Sequence, residues 1–278
     1  MGDSNIKSSA KTASIIITCA LLFCVSLLLA ACGTSSGTSL SDDNTHKESI
    51  EANKNQSHLV PGLYSVFDDK SGSVKTARIS PIQEQDLLSL INVLRQTGGE
   101  LSFGLIGESR MRPLLRLRIP VPPAPPVKRD FQNAFERAEE DSAFQGAMES
   151  YEAKRKQWEA DVNQRIDVFM QAVRPRLQQP AREKATDIVG ALERAELFLN
   201  EPDAVWPAET ARHRYVILNS DGVATTNRKP VEIRSGACLL LINGSGSLGT
   251  IEPLHPLQFE SKQAALDYIT ATELGRNR

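Results

Sequence analysis

An α/β fold is predicted, a doubly wound and mostly parallel sheet with one antiparallel edge strand and a long helical segment inserted in it. Three observations lead there. Short apolar runs of strand character alternate with amphipathic helical stretches. Two of the runs end in acidic turns, at Asp68-Asp69 and at Asp221, the kind of strand end where such sheets bind ligands. A proline-rich and charged stretch, residues 120–180, interrupts the alternation.

Taken in order, the chain begins with Lys7 and Lys11 before the apolar run IIITCALLFCVSLLL. That layout, followed by LAAC ending at Cys32, predicts a secretory signal over 1–31. A cysteine directly after LAA resembles the bacterial lipoprotein signal. The resemblance implies an acylated Cys32, a membrane anchor and a cell-envelope location, the outer membrane if the cell has one. An uncleaved signal anchor is the alternative. Residues 32–59 are almost free of apolar side chains and predict a flexible tether carrying His46 and His58. Cys19 and Cys24 would leave with the signal, so Cys238 in ACLLLIN is left as a buried core thiol without a disulfide partner.

The folded domain is expected over 60–275. LYSVF, with Leu63, Tyr64, Val66 and Phe67, predicts the first strand. SPIQEQDLLSLINVLRQTGG predicts a helix capped by Ser80, with Pro81 in its first turn, Gln83 completing a capping box and Gly98-Gly99 stopping it. ELSFGLIG and LLRLRI predict two strands joined by so short a turn that they must pair antiparallel. PVPPAPPV predicts an extended polyproline spacer. Then Phe131, Phe135, Ala138, Met148, Tyr151, Trp158, Val162, Ile166, Phe169 and Val173 form one narrow apolar seam ended by Pro175 and Pro180. A helix spanning that seam would run about 70 Å, so it must bend near Gly146, project as an arm, or pair with another chain. TDIVGALERAELFLN predicts the next helix, RYVILNSDG a buried strand and its turn, PVEIRSGACLLLING one or two strands, and FESKQAALDYI the closing helix.

Composition excludes several functions. A formal net charge of −2 with 24% charged residues and no basic stripe argues against nucleic-acid binding. GSGSLG matches the dinucleotide fingerprint, but Pro253 and Pro256 forbid the helix that motif needs, so a loop is expected. His213 and His255 neighbour no serine or cysteine nucleophile and no zinc spacing, so no enzymatic constellation is read. Phosphate chemistry would want several carboxylate ligands and a base.

One loop carries chemistry of another kind. Asp69, Ser71 and Ser73 form D-x-S-x-S directly after the first strand. If that strand and the one ending at Asp221 are neighbours where the strand order reverses, their carboxylates meet above the sheet, with the Thr186 hydroxyl beside them. Oxygen donors of this kind suit a hard, octahedral divalent cation.

DKSGS, then ATDIVGALERA, then SDG, on these elements and in this order, resemble the metal-ion-dependent adhesion site of von Willebrand factor type A domains. The similarity covers about 60–118 and 180–275, with 120–180 as the insertion and Ala185 where the family usually has glycine. It implies a Rossmann-like sheet and direct ligation of Mg²⁺ or Mn²⁺ by Ser71, Ser73 and Thr186. Asp69 and Asp221 would act mostly through water. It also implies a protein partner that presents an Asp or Glu side chain. The alternative use is structural, with self-association through the helical insertion.

Overall fold

The computed structural model describes residues 60–76, 78–109, 111–129, 133–180, 186–201, 212–226, 228, 232–244 and 248–275. Cys32, with the expected signal and tether, lies outside them. The chain forms β1 (Gly62–Asp69), α1 (Gly72–Thr76), α2 (Glu84–Thr97), β2 (Gly99–Ile106), β3 (Leu115–Ile119), α3 (Ala134–Leu177), α4 (Ile188–Asn200), β4 (His213–Asn219), β5 (Cys238–Ile242), β6 (Leu257–Phe259) and α5 (Lys262–Gly275).

Alternation along the strands places a core on each face of the sheet. Tyr64, Val66, Leu101, Phe103, Tyr215, Ile217 and Leu240 pack under α2, α3 and α5. Leu63, Phe67, Val216, Leu218, Leu239 and Leu241 pack under α4. The sheet has six strands in the order β3-β2-β1-β4-β5-β6. Every neighbouring pair is parallel except β2 with β3. From β1 the chain winds one way to β2 and β3, then the other way through β4, β5 and β6. The order therefore reverses between β1 and β4, and the carboxyl ends of those two strands frame a crevice.

Two local expectations change. The α2 cap is Gln83, not Ser80, and its reciprocal capping partner is Asp86. Among the described residues of PVEIRSGACLLLING, Cys238–Ile242 form one strand, as expected. A 3-10 turn, Gly249–Leu254, opens on the last glycine of GSGSLG despite Pro253, because a six-residue turn tolerates proline where a long helix does not.

The helical insertion neither bends at Gly146 nor stops at Pro175. It is one 44-residue helix, about 66 Å long. Its second half belongs to the core through Val162, Ile166, Phe169, Met170 and Val173. Its first half stands off the sheet, with Phe135 70% exposed. The proline run returns along it. The Trp158 indole N–H donates to the Pro120 carbonyl at 3.1 Å. At the other end the Arg129 N–H donates to Glu140 at 3.0 Å, and Lys128 pairs with Asp141. Pro120 to Arg129 spans about 28 Å at polyproline rise, and Glu140 to Trp158 about 27 Å of helix, so the clips agree in length. Phe144, Met148 and Tyr151 are partly buried between the clips, as are Pro122, Pro123 and Pro126. Strap and seam thus shield each other, making a stiff arm. No described helix is long and apolar enough to cross a membrane.

Candidate metal centre

Successive residues of a strand face opposite sides, so the two aspartates ending β1 part company. Asp68 turns toward α2, accepting from the Ile82 N–H at 3.1 Å and the Asn219 amide at 2.7 Å, and pairs with Lys70. Asp69 turns into the crevice, where it is buried. Its Oδ1 accepts from the Ser71 N–H at 2.8 Å, the turn that brings Ser71 and Ser73 together with hydroxyls 2.9 Å apart. Lys70 donates to the Leu177 carbonyl, so the C-terminal end of α3 abuts this loop.

The loop after β4 meets them. The Ser220 hydroxyl donates to Asp69 Oδ2 at 2.7 Å, and Asp221 follows it directly. Asp221 Oδ1 accepts from the Val223 N–H at 3.0 Å. Thr186 joins through a reciprocal pair: its N–H donates to the Thr225 hydroxyl at 2.7 Å, and the Thr225 N–H donates to the Thr186 carbonyl at 3.1 Å. Thr186 is not the cap of α4, because Asp187 takes that role by accepting from the Gly190 N–H. Its own hydroxyl is consequently uncommitted. Thr186 is 1% exposed, and its Oγ1 has no hydrogen-bond partner among the described residues.

Direct hydrogen bonds therefore assemble Asp69, Ser71, Ser73 and the Ser220-Asp221 step, and Thr186 is tied to the loop four residues beyond Asp221. Ala185 lies outside the described residues. Sequence reasoning missed Ser220 and Thr225. Ser220 was visible in NSDG, but Thr225 had no local signal. Burial raises the Asp69 pKa above its usual value; the Ser220 and Ser71 donors pull it down, and the nearby Asp221 charge pushes it up. Two carboxylates and several hydroxyls, one of them orphaned, are a donor set that fits Mg²⁺ or Mn²⁺. Among the described residues no group of three or more His, Cys, Asp or Glu side chains is placed to hold an ion. A hydroxyl-rich centre does not require such a group.

No protein-family model matches the chain, and no curated protein matches it.

Proposed function

We propose that the domain is a binding module which holds Mg²⁺ or Mn²⁺ on Ser71, Ser73 and Thr186, with Asp69 and Asp221 behind them, and captures an acidic side chain of a protein partner. Acylation of Cys32 would tether it to a membrane of the bacterial envelope. The observation that carries this reading is the buried hydroxyl of Thr186, without a hydrogen-bond partner among the described residues, on a residue tied through Thr225 to the loop that follows β4. When bound, the cation supplies charge that neutral hydroxyls leave under-compensated, which favours an incoming carboxylate over a neutral group. Ser220 and the Ser71 N–H hold Asp69 in place, and Thr225 fixes Thr186.

Partner capture by the full chain is expected in Mg²⁺ and not in EDTA, and Asp69→Ala or Thr186→Ala should abolish it while leaving circular dichroism unchanged. Capture that survives EDTA overturns the reading.

The exposed first half of α3 favours a second use, self-association through the arm. Sedimentation of the chain before and after replacing residues 122–156 by a short glycine-serine turn tests it. The excision stops short of Val162, because the rest of α3 is core. A larger species that becomes a monomer on excision supports the arm as an assembly device; a monomer in both excludes it.

A further inference from the structure

Beyond the metal centre, the carboxyl edge of the sheet carries a second unusual charge arrangement. Glu108, just past β2, is buried and accepts from the Leu105 N–H at 3.2 Å. Three guanidinium groups surround it: Arg112 at 3.0 Å, Arg194 at 3.3 Å and Arg176 at 3.4 Å. One carboxylate thus serves three cations. Arg194 is 4% exposed, lies over the Phe67 ring and donates to the Leu105 carbonyl at 2.6 Å. Its Nε has no hydrogen-bond partner among the described residues. Asp187 also acts on Arg194 electrostatically, yet it is committed to Arg228. Burial lowers the pKa of both Arg194 and Arg176, as it does for cations held from water with too little negative charge nearby.

Arg112 and Arg194 open onto a groove of about 360 Å³. Arg112, Leu114 and Arg116 line it from β3 and the turn before it, and Arg194, Leu197 and Phe198 from α4, with Glu201, which Arg116 neutralises, at its edge. Leu197 is 74% exposed, an apolar side chain standing at the mouth. Arg116 is held by Glu100 and Glu201 and lies over Phe198, so the rim is fixed before a ligand arrives.

We propose that this groove binds an organic anion, a carboxylate or phosphate monoester whose charged end rests on Arg112 and Arg194 and whose apolar body lies on Leu197 and Phe198. Guanidinium groups offer planar, paired donors that match both anions. The site needs no divalent cation, so it stands or falls separately from the metal centre.

Calorimetric titration of the full chain in EDTA, with phenylacetate, phenyl phosphate and inorganic phosphate as probes, tests the proposal. One or both aromatic anions should bind, the tighter of the two fixing the anion class, and inorganic phosphate should bind more weakly than phenyl phosphate. Arg112→Gln, at an exposed position, should weaken binding about tenfold or more through loss of a charged hydrogen bond. Leu197→Asp, also exposed, should do the same by repelling the anion and removing the apolar wall. Heat release from no probe at millimolar concentration overturns the proposal. So does binding that both variants leave at wild-type strength.

Discussion

Glu108→Ala is expected to destabilise the domain by about 3–5 kcal/mol, the usual cost of stripping one partner from a buried ionic cluster. The substitution leaves Arg112, Arg176 and Arg194 around a site with no carboxylate, two of them nearly out of water. It also takes away the acceptor of the Leu105 N–H at the end of β2, so the strand exit loosens. Urea unfolding should show a midpoint about 1–2 M lower, for a slope of about 2–3 kcal/mol/M. Glu108→Gln, which keeps an acceptor but no charge, should fall between wild type and alanine. Joining Glu108→Ala to Arg194→Met should recover part of the loss, since an apolar replacement removes the unpaired charge as well. Wild-type stability in Glu108→Ala would show that solvent, rather than the carboxylate, balances the guanidinium groups.

That cluster had no sequence signature, and the reason is distance along the chain. Glu108 meets Arg176 and Arg194 from separations of 68 and 86 residues, across an insertion whose path no local pattern specifies. Features set by neighbours were legible. The apolar run of β1, the helical stretches of α2 and α4 and the short β2–β3 turn follow from local composition, a period of 3.6 residues and loop length. The reversal between β1 and β4 could be posed as a condition, because D-x-S-x-S and SDG mark two strand ends, but not which strands pair. Elements below the length of a periodic pattern were lost. β6 has three residues and follows His255 in a left-handed conformation, so nothing alternates long enough to be seen. Cap identity was lost too: Ser80, Gln83, Thr186 and Asp187 are all competent caps, and tertiary bonds decide between them. The apolar seam of α3 holds from Met148 to Val173 but not at Phe135 and Ala138, which are exposed, and its partner is a strap only a few residues upstream where a spacer is expected. Proline runs lack a period that reveals what they pack against.

Asp69 gives the sharpest test of the centre, because its protonation and its metal chemistry pull stability in opposite directions. Burial first, and Asp221 in addition, raise its pKa above the ordinary carboxylate value despite the donors Ser220 and Ser71. A carboxyl whose folded pKa is raised binds its proton more tightly folded than unfolded. Its contribution is therefore fully present below the unfolded value and lost as pH rises through the folded one. In EDTA the domain should lose stability over that interval, and at neutral pH Asp69→Asn should melt higher than wild type. With Mg²⁺ the order reverses. Wild type gains about 2.7 kcal/mol at a cation concentration a hundredfold above its dissociation constant, and the Asn variant gains none. The apparent Mg²⁺ affinity should also climb across the same interval as the carboxylate forms. Thermal melts at several pH values, each with and without Mg²⁺, read all three effects. A purely structural Asp69 would give an Asn variant that is less stable in EDTA and a wild type indifferent to Mg²⁺, and that pattern would remove the metal from the crevice.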